Sequence, residues 1–207
     1  MTLLKDKYIT LCNTSSDINE HLRTLKEYAQ ECDSVFETGV RGVVSSYAFL
    51  YGLAENTNGT NKRIFLNDIF ECDIAEFISI AESNLIHVKN EWNNNLNLQF
   101  SHEETYDLTF IDTWHVYGQL KRELNKFSKI TDKYMILHDT TVDGEHGETI
   151  RCQFNASEQS QQTGIPIDEI NCGLWKAVEE FLQENSNWIL HMRFTNNNGL
   201  TILKKIS

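Results

Sequence analysis

Apolar positions along the chain recur at two different spacings, and the switches between them mark out the elements. Ile18, Leu22, Leu25 and Tyr28 stand at helical spacing and predict a helix over residues 17–32. Asp17 and Glu20 hold the places of a capping box at its start. Residues 34–37 predict a short buried strand, broken by Gly39, and residues 43–53 predict a helix. A second strand over residues 63–67 is followed by helical spacing through Ile74, Phe77, Ile78 and Ala81. Residues 96–100 predict a weak third strand and residues 106–111 a clear fourth. Tyr117, Leu120, Leu124 and Phe127 mark the next helix, residues 133–137 a fifth strand, and Leu174, Val178, Phe181 and Leu182 a last helix. Two strands, residues 188–194 and 200–203, close the chain. The Asn198-Gly199 step between them favours a hairpin.

Strands that alternate with helices predict a parallel sheet covered on both faces. The expected fold is therefore α/β and Rossmann-like: a doubly wound, seven-stranded sheet, mostly parallel, with an antiparallel C-terminal hairpin strand. No repeat or linker divides residues 1–207, so a single domain is expected. Residues 140–171 are long, polar and without strong period; they hold Gly144, Gly147, Gly164 and the only proline, Pro166. A segment of that kind is a candidate substrate lid.

Composition narrows the partners. The chain is 40% hydrophobic, enough for a sizeable core, and carries a net charge of −12. That sign excludes the basic footprint of a nucleic-acid binder and disfavours an anionic membrane surface. It suits a small neutral substrate. No apolar run is long enough to cross a bilayer, and Lys5, Asp6 and Lys7 interrupt any leader-like start, so a cytoplasmic protein is expected. Five scattered cysteines without a C-x-x-C pair predict free thiols. The three sequons at Asn13, Asn58 and Asn155 read as chance matches. No coiled-coil pattern fixes an oligomeric state, and a homo-oligomer stays open.

Sheets of this kind bind ligands beyond the carboxyl ends of their strands. After the first strand comes Glu37-Thr38-Gly39, then Arg41, Ser45 and Ser46. Gly39 permits close approach of a ligand to the backbone, and the following helix offers free N–H groups to a carboxylate or phosphate. A plain strand-to-helix turn would read the same way. Asp68, after the second strand, suits a ribose diol, and suits a helix cap nearly as well. Asp112 and His115 follow the fourth strand, and His138 and Asp139 end the fifth. Two carboxylates at neighbouring strand ends suit a hard divalent cation, with His138 as a third ligand. His115 suits a general base near neutral pH. Each of the four alone reads more simply as a cap or a structural residue; together they read as a site.

These residues resemble the class I S-adenosylmethionine-dependent methyltransferases. The Glu37-x-Gly39 opening is similar to their first motif, Asp68 to their ribose acid, and the hairpin to their antiparallel last strand. The segments FIDTWHVYGQ and YMILHDTT sharpen the likeness. There the chain resembles the metal-dependent sugar O-methyltransferases that act on macrolides. Carried over position by position, the resemblance implies magnesium held by Asp112, His138 and Asp139, and His115 as base. It implies S-adenosylmethionine held by Glu37, Gly39, Arg41, Ser45, Asp68 and Asp112. Arg41 and Val43 stand where that family has further glycines, and His138 stands where the sugar enzymes carry a carboxylate.

The implied activity is methyl transfer to a hydroxyl of a small molecule, most naturally a sugar or glycan residue. A nicotinamide-dependent oxidoreductase is the alternative, weakened by the missing G-x-G-x-x-G. A non-catalytic nucleotide-binding protein is another, and it would leave the Asp/His group without a role. Trp114 and Trp175 are candidate stacking surfaces for a sugar ring, with core packing the plainer reading.

Overall fold

The computed structural model describes residues 2–206. Its strands are β1 (Ser34–Thr38), β2 (Arg63–Asp68), β3 (His87–Trp92), β4 (Tyr106–Ile111), β5 (Thr131–His138), β6 (Trp188–Phe194) and β7 (Leu200–Lys205). They form one sheet in the order β3-β2-β1-β4-β5-β7-β6. Neighbours among β1 to β5 pair in parallel, and β7 runs antiparallel to both β5 and β6. The expected seven-stranded, doubly wound sheet is present. Its order reverses between β1 and β4, which is where such sheets open a ligand crevice.

Alternate side chains of the central strands feed two cores. Val35, Ile64, Leu66, Leu108 and Phe110 pack on one face against α1 (Thr2–Asn13), α2 (Leu22–Gln30), α3 (Val44–Glu55) and α4 (Ala75–Ser83). Phe36, Phe65, Met135 and Leu137 pack on the other against α5 (Tyr117–Phe127) and α9 (Leu174–Glu184). Phe36 stacks on Phe65 at 5.1 Å and meets the edge of Phe127 at 5.1 Å. Among the described residues, no helix is long and apolar enough to cross a membrane.

The structure departs from the expected elements in four places. The third strand is His87–Trp92, not residues 96–100. It is an edge strand with no buried residue, so it carries no apolar run to announce it. Leu98 is buried but belongs to the loop that follows. The helix expected over residues 17–32 is a 3₁₀ turn at Asn19–His21 followed by α2, and Asp17 caps nothing: its carboxylate takes the Arg41 guanidinium at 2.6 Å. Helix α1 has no counterpart in the sequence reading, because its apolar face is narrow and buries only Leu4 and Tyr8. Residues 140–171 are ordered into three short helices, α6 (Glu148–Arg151), α7 (Ala156–Thr163) and α8 (Ile167–Ile170).

The β6–β7 turn reaches back to the end of β5. Gly199 has φ +99, and a Cβ there would lie 2.3 Å from Thr141 Oγ1. Asn198 O accepts the N–H groups of Thr141 and Val142, both at 3.0 Å. The hairpin thus clamps the segment that carries His138 and Asp139.

Candidate active site

A cleft of about 380 Å³ opens across the carboxyl ends of β1, β2, β4 and β5. Another depression, of about 410 Å³, lies at the opposite ends of the strands, but its Lys89 and Glu104 are paired with each other at 2.9 Å. It holds none of the candidate chemistry.

The β1–α3 turn forms one wall of the cleft. Gly39 has φ +92, and a Cβ on it would fall 1.8 Å from the backbone oxygen of Asp112. Only glycine lets the two strand ends meet so closely. Arg41 and Val43 have φ 40 and φ 59. The backbone therefore takes left-handed steps at two positions that lack glycine, a local cost of about 1–2 kcal/mol each. Asp68 accepts the N–H of Arg41 at 2.9 Å and of Phe70 at 3.1 Å, which ties the ends of β1 and β2 together across the cleft. Glu37 and Ser45 lie behind this wall and do not line the cleft. Ser45 Oγ donates to Glu37 Oε1 at 2.5 Å, and Glu37 is fully buried. Burial pushes its carboxyl up to about 8, against the opposing hydrogen bond from Ser45.

The opposite wall is built by the ends of β4 and β5. Asp139 has φ 57, the left-handed conformation at a non-glycine residue. His115 Nε2 lies 3.1 Å from both Asp112 Oδ1 and Asp139 Oδ2. His138 Nδ1 lies 3.3 Å from Asp112 Oδ1 and 3.4 Å from Asp139 Oδ2. The structure thus brings together Asp112, His115, His138 and Asp139 on the cleft side facing Gly39, Arg41 and Asp68.

The donor set fits a divalent cation. His138 Nε2 faces two backbone oxygens, Asp17 O at 3.1 Å and Asn197 O at 3.3 Å, so its hydrogen belongs there. That leaves Nδ1 as a lone pair aimed between two carboxylates, which a proton or a cation must occupy. Asp139 Oδ1 is buried without a hydrogen-bond partner among the described residues. One ligand atom from each of Asp112, His138 and Asp139 lies within 4.8 Å of the others.

Without a cation, a proton on His138 would fill this role. Burial opposes the charge on His138, but hydrogen bonds to Asp112 and Asp139 overcome it and push the imidazole up to about 10. Burial works against ionised Asp112 too, and the hydrogen bonds from His115 and His138 outweigh it, holding that carboxyl well below the usual range. A histidine pKa raised by folding gives stability that is full below 6.5 and lost as the pH climbs through about 10. Thermal melts of chelator-treated protein should fall across that window, and His138→Gln should flatten the slope. An equally steep fall in the variant would remove His138 from this account.

Several residues that support the cleft were not singled out by the sequence. His115 Nδ1 faces Asp143 Oδ2 at 3.2 Å, and Arg151 grips the same carboxylate at 2.6 and 2.8 Å. Asn95, Gln119 and Glu123 form a buried polar group beneath the cleft, joined by Thr113. The only hint was Gln119 and Glu123 one turn apart on the buried side of α5. Of the expected stacking surfaces, Trp114 lines the cleft. Trp175 lies flat under Arg193, 3.4 Å from its guanidinium carbon. From residues 140–171, Glu148, Thr163 and Ile165 line the cleft.

No protein-family model matches the sequence, and no curated protein matches it. Solved structures do share the fold. The O-methyltransferase TomG of Streptomyces achromogenes, involved in tomaymycin synthesis and solved with S-adenosylmethionine, superposes with a TM-score of 0.59 at 12% identity, over 94% of this chain and 82% of that one. An O-methyltransferase from Bacillus cereus, solved with S-adenosylhomocysteine, gives 0.52 at 13% identity, over 99% and 91%. The methyltransferase PaMTH1 of Podospora anserina, also bound to S-adenosylhomocysteine, gives 0.50 at 14% identity, over 99% and 88%. The chain therefore shares the Rossmann-like fold of these methyltransferases.

Proposed function

We propose that the protein is an S-adenosylmethionine-dependent O-methyltransferase acting on a small-molecule hydroxyl, a sugar or glycan residue above all. One observation carries the reading. An Asp112–His115–His138–Asp139 cluster faces, across one cleft, the Gly39 turn and the carboxylate of Asp68. Asp68 would accept the ribose hydroxyls of the donor, as acids at the end of a second strand do. The turn at Gly39 and Arg41 would take its amino-acid end. The solved structures with this fold that hold S-adenosylmethionine or S-adenosylhomocysteine support the choice of donor.

Asp112, Asp139 and His138 Nδ1 would hold a divalent cation, magnesium on the strength of the family resemblance. Bound there, it would lower the pKa of the acceptor hydroxyl and orient it. His115 supplies the base. Its Nδ1 hydrogen goes to Asp143, and its Nε2, 3.1 Å from both Asp112 and Asp139, shares a proton with those carboxylates. Burial opposes the charge, but the carboxylates overcome it and hold the imidazole well above its ordinary pKa. A cation held by the two carboxylates would displace that proton and leave the Nε2 lone pair for the substrate proton. The acceptor oxygen forms its bond to the methyl carbon as the carbon–sulfur bond breaks, the electron pair staying on sulfur. The hydroxyl proton goes to His115 Nε2. Arg151 fixes Asp143, so the ring keeps its orientation through the step.

Incubation with labelled S-adenosylmethionine and a panel of sugars and other vicinal diols tests this. Label should reach a hydroxyl oxygen, and a chelator should stop it. Transfer to nitrogen or carbon acceptors alone would overturn the reading. In Asp139→Ala, residual transfer should no longer respond to added magnesium. A fully magnesium-dependent variant would show the ligand assignment to be wrong.

A further inference from the structure

We infer that the cation site takes a first-row transition cation of the iron-to-zinc series in preference to magnesium, and that His138 sets the preference. The inference rests on the reading of Asp112, His138 and Asp139 as a cation site; it does not depend on the methyl donor.

His138 is buried at the end of β5, and its ring has one orientation open to it. Nε2 faces Asp17 O at 3.1 Å and Asn197 O at 3.3 Å. Nδ1 lies 3.3 Å from Asp112 Oδ1 and 3.4 Å from Asp139 Oδ2. A half-turn of the imidazole would set ring carbons against all four oxygens. His21, itself buried, packs edge-on against the same ring with centroids 6.0 Å apart.

The two backbone oxygens are held in place from behind the site. Asn197 Nδ2 donates to Ser16 O at 2.8 Å, and Asn197 Oδ1 accepts the N–H of Glu20 at 3.0 Å. The hairpin tip and the segment that carries Asp17 are thereby tied to each other. Neither backbone oxygen can donate, so Nε2 keeps its hydrogen and Nδ1 is the nitrogen left to face the carboxylates. Asp139 Oδ1, also buried, has no hydrogen-bond partner among the described residues. The donor set is one fixed nitrogen and two carboxylates.

Magnesium takes oxygen ligands, sheds its waters reluctantly and is commonly held by one or two carboxylates. It can occupy the site through Asp112 and Asp139 alone, leaving the nitrogen buried and unused. Imidazole suits iron, nickel, copper and zinc, and cobalt lies within the same affinity order. The hydrogen bonds from Nε2 to Asp17 O and Asn197 O fix the tautomer and make the ring a stronger ligand.

Calorimetric titration of the full chain, freed of metal by a chelator, with cobalt chloride and with magnesium chloride tests the inference. The wild type should bind cobalt about 100-fold more tightly than magnesium, or better. His138→Asn sets an uncharged oxygen near the place of Nδ1. It should weaken cobalt by about 10–100-fold and leave magnesium within about 3-fold. Thermal melts show whether the variant is folded. A measurement on the wild type alone decides if it is not: with manganese as a paramagnetic probe, pulsed electron paramagnetic resonance should detect a directly bound imidazole nitrogen. Equal affinities in the wild type, an unchanged preference in folded His138→Asn, or no bound nitrogen in the manganese spectrum overturns the inference and leaves the cation site standing. Failure of both cations to bind removes the site as well.

Discussion

Gly39→Ala should cost on the order of 3 kcal/mol or more and disable the cleft. The new Cβ would sit 1.8 Å from the Asp112 backbone oxygen and 2.5 Å from its carbonyl carbon. Both are backbone atoms at the end of a central strand, so no side chain can swing aside. A φ of +92 also lies outside the range alanine tolerates. Relief would require β1 and β4 to part where Asp112 N donates to Thr38 O at 2.9 Å. Because the strained atom belongs to Asp112, the damage passes directly to the Asp/His cluster. Gly42→Ala is the matched control: its nearest contact would be Val44 Cγ2 at 3.7 Å, an ordinary distance. Thermal denaturation should show a large fall for the first variant and almost none for the second. Similar melting temperatures for both would show that the strand ends yield more easily than their geometry implies.

His115→Ala should lower turnover by about 10²–10⁴-fold while leaving donor affinity within a few-fold. His115 is the one imidazole with a nitrogen toward the cleft and the other nitrogen fixed by a carboxylate, Asp143. His138 cannot replace it, because it is almost wholly buried and its Nε2 is occupied by Asp17 O and Asn197 O. Single-turnover methyl transfer to the best acceptor from the diol panel would measure the chemical step, and calorimetry with S-adenosylhomocysteine the affinity. Unchanged turnover would dismiss the base; a loss of affinity as large as the loss of rate would make His115 a binding residue instead.

The sheet was legible because its central strands are apolar on both faces. Residues 106–111 sit between two cores and advertise themselves, whereas His87–Trp92 on the edge carries polar side chains and escapes notice. The cluster of Asp112, His115, His138 and Asp139 was legible for a topological reason: strand ends that neighbour one another in the sheet bring their next residues together. What supports the cluster was not. Asp143 reaches His115, and Arg151 reaches Asp143, from the segment after β5, whose path no periodicity encodes. Asn197 reaches His138 only because the hairpin folds back over β5. Asn95 and Glu123 meet because the β3–β4 loop passes over α5, a contact between segments with no shared pattern.

Arg41 and Val43 both take the left-handed backbone conformation that favours glycine. The turn keeps its shape at an energetic cost, offset by the burial of Val43 and by the Arg41–Asp17 pair at 2.6 Å.

In the proposed function, the cleft between Gly39, Asp68 and the Asp112–Asp139 wall holds a methyl donor. Calorimetric titration of the purified protein with S-adenosylhomocysteine, with and without magnesium, tests it most directly, with NADH as the comparison ligand. Saturable one-site binding of S-adenosylhomocysteine, lost in Asp68→Ala, and no heat from NADH are the expected results. Absence of S-adenosylhomocysteine binding under both conditions, or saturable binding of NADH at the same cleft, would contradict it.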